Sequence, residues 1–546
     1  MWQQVYDPLH SSALSALVAA VPIIFFLLGL TVLKLSGIKS AVISLVLALV
    51  IGCGIFGMPV TAGAGSILYG FLSGLWPIGW IVLMAVWLYR ISVRSGGFEI
   101  VRSSISSIST DQRIQMLLIA FCFGGFLEGA AGFGIPIAIC AALLVSLGFN
   151  PLKAAMFALI ANVSSGAYGA IGIPVTTAAT RGNVDLHGLS TELVLVIQII
   201  AALIPVLLVA IQDGLRGIRE VGLVALIVGL VYSGGQAVLL AGLGNPELVD
   251  IIPPLLALVV LALIMQKWQP KNLFREPTAP SLEEVEAQQS VKYSGGEILK
   301  AWSPFVYLSV VILLWSTAFK PLFAKGGLLA FSNITFPVPW LHKSIQQVAP
   351  IVAHPKAIDV TYTWSIIGAS GTAILVAAII TILTSSISWG EAIEELGATW
   401  KQLKTPIIMI CLVMSVANVM NYAGMITSIA LAVAAVGAIF PLLSPIIGWI
   451  GVFVTGSVVN NNILFAGLQA TTAQQISVNP TLLVASNTAG GVMAKIVSPQ
   501  SIAIAAASVN SAGQESKITS MAIKYSAALL VVTCVWVYVL SLVMPS

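Results

Sequence analysis

From Thr405 to Gln514 the chain carries one charged side chain, Lys495. A soluble fold cannot cover its surface with a stretch of that length and polarity. The whole chain of 546 residues follows suit, at 58% hydrophobic and 8% charged, where soluble domains carry about 25% charged residues. This excludes a soluble enzyme, a nucleic-acid-binding protein and a disordered chain. What remains is an all-α, polytopic helical membrane protein that lives in the lipid bilayer. The apolar runs are long and continuous rather than alternating over about ten residues, which argues against a transmembrane β-barrel.

At about 20 residues per crossing, spans are expected near 12–33, 40–60, 70–89, 114–127, 191–211, 221–243, 250–266, 301–318, 363–385, 405–422 and 525–544. The sequence is almost unrelieved apolar from 425 to 510. Gly and Pro punctuate 124–174 and 444–499, so broken or re-entrant helices are expected there. The expected total is about 12–14 crossings. Met1-Trp2-Gln3-Gln4 offers no basic region ahead of the first apolar run, which therefore reads as a retained span. Cys53, Cys122, Cys140, Cys411 and Cys534 lie in apolar segments without a CxxC. They read as buried hydrophobes, and neither a disulfide, a metal site nor a cofactor is expected.

Basic loops set orientation. Lys34 and Lys39, the cluster Arg90, Arg94, Arg102 and Arg113, Arg216 and Arg219, the basic residues of 267–300, Lys401 and Lys404, and Lys517 and Lys524 all fall on one side by a single alternation. That side is cytoplasmic, so both termini are expected outside a bacterial cytoplasmic membrane. The 319–362 segment must then be external despite Lys320, Lys325, Lys343 and Lys356. Residues 267–300, with Glu283, Glu284 and Glu286, read as a cytoplasmic connector between membrane halves 1–266 and 301–546. Residues 388–404 read as a short amphipathic helix at the interface.

An internal repeat is visible. Asn150-Pro151 precedes Asn162, Gly166 and Pro174, and Asn479-Pro480 precedes Asn487, Gly491 and Pro499, the last three pairs at one constant offset. Gly129 and Gly456 stand upstream in the two copies. The copies end on opposite expected sides, which makes them inverted repeats of the kind that build secondary transporters, with sites near the midplane where broken helices meet.

Charges inside spans are costly and usually functional. Of the acidic residues, all but Glu128 can be placed at loops or span ends. Glu128 sits in Phe126-Leu127-Glu128-Gly129-Ala130-Ala131-Gly132-Phe133-Gly134. Glycine-broken backbone exposes amides that lipid cannot satisfy, so this stretch lines a cavity or is buried in protein. A carboxyl there suits reversible proton binding; the structural alternatives are capping of backbone amides or pairing with a distant lysine. Lys495, in a Gly- and hydroxyl-rich setting, suits a small carboxylate; its alternatives are a snorkelling lysine or a counter-ion to Glu128. Polar side chains gather at the same breaks: Asn162, Ser164, Ser165 and Tyr168 in the first half, and Asn418, Asn421, Tyr422, Ser457, Asn460, Asn461, Asn462, Asn487, Thr488, Ser498 and Gln500 in the second. Helix N-termini at such breaks hold anions, and freed carbonyls hold Na⁺. Interhelical hydrogen bonding is the competing use. There is no GxxxxGK[ST], HExxH or nucleophile elbow, so neither ATP-driven pumping nor enzymatic catalysis is expected.

The stretches Trp2–Pro8, Tyr69-Gly70-Phe71, Gly74–Ile78, Arg102–Ile105, Asp111-Gln112-Arg113, Phe121–Gly134, Gly371–Leu375, Leu468–Thr471 and Lys495–Ile504 resemble the bacterial lactate permease family. The resemblance runs over essentially the full length. It implies uptake of L-lactate, D-lactate and often glycolate by symport with protons, with no resident cofactor. Two stretches depart from the family pattern. Val458 follows Thr455-Gly456-Ser457 where the family usually has an acidic or amide residue, and Asn162-Val163-Ser164-Ser165 stands where it often has Asn-Thr-Ala-Pro. The substrate range and the coupling ion are therefore open. The expected arrangement has Glu128 as the proton site and Lys495 as the carboxylate site. Gly132, Asn162, Tyr168, Ser457, Asn460, Asn487, Gly491, Ser498 and Gln500 complete the substrate site. Na⁺-coupled carboxylate symport, a non-concentrating channel and a membrane scaffold are the alternatives.

Overall fold

The computed structural model describes residues 1–132, 134–277, 279, 293–352 and 354–544. Glu283, Glu284, Glu286 and Lys292 of the expected connector, and Phe133 of the glycine-rich stretch, lie outside the described residues. Among those described, nine helices are long and apolar enough to cross a membrane, or ten if one bent pair counts as a single span. That pair is Pro151–Ser164 with Gly169–Gly182, bent by 48°. Four more apolar helices, Ile135–Ser146, Ile252–Lys267, Ser370–Thr384 and Met425–Ala434, are shorter. One apolar stretch, Leu186–Gly242, is 57 residues long. At 1.5 Å per residue that is roughly 85 Å, far more than one bilayer. Gly214 divides it, with φ 60° and ψ −148°, a conformation open to glycine. The two arms pack so closely that a Cβ on Gly229 would overlap the Ala202 carbonyl oxygen.

Two helical hairpins bring broken backbone to the middle of the protein. In the first, Gln112–Ala130 turns by way of Gly132 and Gly134, both with positive φ, into Ile135–Ser146. The Cys140 thiol donates to the Ile119 carbonyl across it, and Gln112 Nε2 donates to the Leu147 carbonyl at its open end. In the second, Phe440–Thr455 turns at Gly456 (φ 67°) into Val458–Gln475. Gly451 there lies directly beside the Asn461 side chain.

Each hairpin is followed by a helix that starts at an Asn-Pro pair. Asn150 accepts from the Leu152 and Lys153 amides, and Asn479 accepts from the Thr481 amide. Both helices run to a break: Asn162–Gly172, where Ala170, Ile171 and Gly172 have positive φ, and Ile496–Ser498, before Pro499–Ser508. Hairpin, capped helix and break thus follow one another in the same order from Gln112 and again from Phe440.

The face of the protein that holds the N-terminus also holds the 319–362 segment. Trp2–Gln3 runs parallel to Ile345–Gln347, which pairs antiparallel with Lys356–Ala357. Asn333–Pro337 pairs antiparallel with Thr361–Ser365. The bent pair connects this face to the other one. It starts beside Glu276, which accepts from the Asn150 amide at 2.8 Å, and ends at Arg181 near Gln4 and Gln347. The expected short interfacial helix at 388–404 is instead the first part of one 34-residue helix, Trp389–Tyr422. Its Glu395 accepts from Arg90 at 2.7 Å, and its Ala392 carbonyl accepts from Trp87 Nε1 at 2.7 Å. These contacts hold it against the 80–94 helix.

Candidate functional site

The two hairpin tips meet around a small cavity of about 70 Å³. Gly132 and Gly134 of the first tip and Gly456, Ser457, Val458 and Val459 of the second form its walls. Glu128, Lys495, Gln500 and Ser501 complete its polar lining. Lys495 Nζ donates to Glu128 Oε1 at 2.6 Å, and both side chains are buried. Asn162 Nδ2 donates to the other carboxylate oxygen, Oε2, at 2.9 Å. Glu128 is therefore a counter-ion of Lys495, one of the arrangements left open by the sequence. A Cβ on Gly169 would stand 2.5 Å from Glu128 Oε1, so the absent side chain makes room for the carboxylate.

The backbone around the cavity favours an anion. The helix that ends at Lys495 presents its C-terminus, where a cation is favoured. Val458–Gln475 and Pro499–Ser508 begin there, and the first amides of a helix have no partner within it, Gln500 supplying the first one after Pro499. Ile135–Ser146 also begins there, but its Ile135 amide donates to the Gly132 carbonyl and Pro136 has no N–H. Ser457 Oγ accepts from the Asn460 amide and Ser498 Oγ from the Ser501 amide, which leaves the amides nearest the cavity for a ligand.

The sequence-derived residues divide by position. Glu128, Lys495, Gly132, Ser457 and Gln500 line the cavity, and Asn162 touches it through Glu128. Tyr168 points elsewhere, its hydroxyl accepting from Gln198 Nε2 at 2.9 Å. Asn460 is buried behind Ser457. Asn487 and Gly491 join the 480–495 helix to the second hairpin: Asn487 Nδ2 donates to Asn462 Oδ1, and Gly491 packs on Val452. Ser498 is a cap whose hydroxyl donates to Ser501 Oγ. Of the other polar candidates, Asn461 and Thr488 belong to that same inter-helix network. Ser164 and Ser165 bond backbone carbonyls, Ser164 reaching Ala201 and Ser165 reaching Asn162. Asn421 and Tyr422 line a different cavity, and Asn418 bonds Arg181 at its edge.

One acidic residue escaped the sequence reasoning. Asp250 is buried, packs on Gly129 beside Glu128 and accepts from Gln236 Nε2 at 2.8 Å. It stands at the junction of a Gly-, Asn- and Pro-containing loop and an apolar helix, where any solvated loop-end carboxylate would also stand. Only the folding of that loop against the first hairpin places it inside.

The L-lactate permease family model matches residues 15–544. The chain is 49% identical to the L-lactate permease of Halalkalibacterium halodurans, over 99% of this chain and 100% of that one. It is 44% identical to the glycolate permease GlcA of Escherichia coli, over 96% and 95%. Among solved structures, that of Neisseria gonorrhoeae MtrF superposes with a TM-score of 0.45 at 14% identity, over 87% of this chain and 83% of that one. With its apolar helices, its broken spans and a match from end to end, the chain belongs to the L-lactate permease family of multi-pass membrane proteins.

Proposed function

We propose that this chain imports L-lactate and related 2-hydroxymonocarboxylates, glycolate among them, by symport with protons. Relatives named for L-lactate and for glycolate support the substrate class. The observation that carries the coupling is the Lys495–Glu128 contact at 2.6 Å in a cavity between two hairpin tips. While Glu128 is ionised it occupies the lysine. Protonation of Glu128 frees Lys495 for the substrate carboxylate, which the helix N-termini at Val458 and Pro499 also attract. Ser457, Gln500 and Ser501 line the same cavity, which supports their reading the 2-hydroxyl group. The empty site (Glu⁻, Lys⁺) and the loaded site (neutral Glu, Lys⁺, carboxylate⁻) carry the same net charge. Both can therefore cross the low-dielectric interior, whereas a half-loaded site cannot. The Val458 departure does not remove the anion site, because its contribution here is a backbone amide.

The two hairpins open toward opposite faces, the first beside Leu147 and Glu276 and the second beneath the N-terminal strand, which supports inverted repeats that alternate about the cavity. The charge distribution supports a cytoplasmic 267–300 connector joining halves 1–266 and 301–546, with both termini outside.

Uptake of labelled L-lactate into proteoliposomes tests the reading. An inward proton gradient with Na⁺ absent is expected to drive accumulation that a protonophore abolishes. Glu128→Gln is expected to lose uphill accumulation and to keep lactate–lactate exchange. Accumulation by Glu128→Gln on a proton gradient would remove Glu128 from the proton role. Na⁺-coupled symport is a second reading, favoured by buried side-chain oxygens of Asn162, Asn460, Asn461 and Asn487 that have no donor. Replacing Na⁺ by choline at fixed pH separates the two, since only the sodium mechanism loses accumulation. A facilitative channel would not concentrate substrate at all.

A further inference from the structure

A polar cavity that opens beneath the N-terminal strand is separate from the Glu128–Lys495 site. It measures about 490 Å³, within the size range of small-molecule sites. Its walls include Arg181, Tyr69, Tyr422, Asn421, Thr471 and Gln474, and Arg181 is the one charged residue among those lining it. Arg181 ends the helix whose other end, Gly169, packs against Glu128. Asn462 Nδ2 holds that helix midway by donating to the Pro174 carbonyl at 3.0 Å. From Ile173 to Arg181 the helix spans about 12 Å, so the two sites are distinct.

Arg181 is bonded only to neutral acceptors. Nη1 donates to Asn418 Oδ1 at 2.8 Å and Nη2 to the Met414 carbonyl at 3.3 Å, while Nε is buried without a hydrogen-bond partner. Among the described residues, no carboxylate lies within ion-pair distance of it, in contrast to Arg90, Arg113 and Lys495. Arg181 is partly exposed to the cavity, so its guanidinium is within reach of an anion there, and its planar fork matches a carboxylate. The Tyr69 and Tyr422 rings, 6.4 Å apart, bring phenol groups to the same wall. A cavity with a single sign of charge raises the local concentration of its counter-ion.

We propose that Arg181 forms a second, vestibular binding site for the small monocarboxylate anion, which it captures before transfer to Lys495. Nothing in the inner site requires it, and it rests on the carboxylate-transport reading above. The roles differ by geometry: the roomy vestibule admits a hydrated anion, and the tight inner cavity selects a dehydrated one.

The test uses the purified full-length protein in nanodiscs, where both faces are accessible, with L-lactate as the probe. Two binding sites per chain are expected for the parent protein. Lys495→Gln is expected to keep the vestibular site, and Arg181→Gln the inner one. In transport, Arg181→Gln is expected to raise KM about tenfold, the loss of one charged hydrogen-bonding partner, with kcat little changed, and Arg181→Lys to recover part of it. An independent readout is a cysteine at Thr471, in an otherwise unaltered chain. An anionic thiosulfonate is expected to modify it faster than a cationic one, and L-lactate to protect it. One site in the parent protein that Lys495→Gln abolishes, or a Thr471→Cys thiol that prefers the cationic reagent and is unprotected by lactate, overturns the vestibular site and leaves the transport reading standing. No lactate bound or transported by the parent protein overturns the transport reading itself.

Discussion

Neither member of the Glu128–Lys495 pair can be removed alone without leaving the other charged in a buried cavity. Lys495→Met is expected to destabilise the protein by about 3–5 kcal/mol, the usual cost of an unpaired buried charge. The double variant Glu128→Gln/Lys495→Met is expected to recover most of that loss. Thermal unfolding in detergent checks this: a double variant as unstable as Lys495→Met would mean that the lysine acts through packing rather than through its charge. These two residues were legible in the sequence because each is a lone charge in apolar surroundings. Asn162 was legible from its place at a break. Tyr168, Asn487, Gly491 and Ser498 share the same sequence context but serve other partners. A polar side chain at a helix break has several directions open to it, and neighbouring helices decide among them.

At the scale of elements, Arg113 ties together segments far apart in sequence. It bonds Asp111 at 2.8 Å, Asp213 at 2.7 Å, Glu220 at 2.8 Å and the Asn272 carbonyl at 2.8 Å, with no exposed side-chain surface. It fastens the start of the first hairpin to the turn at Gly214 and to Asn272. Charge-counting grouped Arg113 with the basic loop residues, whereas the structure buries it completely. Arg113→Ala leaves Asp111 and Asp213 without their cation, Glu220 keeping Arg216, and is expected to cost about 3–5 kcal/mol. The expected readout is a large fall in melting temperature and in the yield of monodisperse protein. An unchanged melting temperature would show that the cluster is solvated and dispensable. The hairpins were foreseen as possible from glycine and proline density alone, but not their pairing. The sequence marks where a helix must break, whereas contacts such as Cys140 with Ile119 determine that it turns back.

For the whole molecule, exchanging an ion pair for a protonated glutamate and a carboxylate held by lysine moves no net charge. Transport is therefore expected to be electroneutral. In proteoliposomes with a potassium-clamped potential and no proton gradient, a 100 mV change should leave the steady-state lactate ratio nearly unaltered. Movement of one net charge would shift that ratio about fiftyfold, from roughly 2.3 kcal/mol per 100 mV. A shift of that size would refute equal charge in the loaded and empty sites. The segment Gly169–Gly182, broken at Ala170–Gly172, packs on Glu128 at its first residue and carries Arg181 in its last turn, and so runs from one cavity to the other.

Hydrophobic sequence alone determined that this chain is a bundle of membrane helices, because lipid tolerates few charges and no unpaired backbone. It also determined where the spans break and that Glu128 and Lys495 are exceptional, since an isolated charge in an apolar run stands out without any alignment. Tertiary structure alone decided that these two residues, 367 positions apart, touch. It also decided that Asp250 and Arg113, which read as loop-end charges, are enclosed by protein, and that Arg181 lines a cavity. The physical reason is the same in each case. The tendency to leave water is encoded locally in side-chain chemistry, whereas the partner that makes burial of a charge tolerable is supplied by a distant segment, and only packing brings it within hydrogen-bond reach.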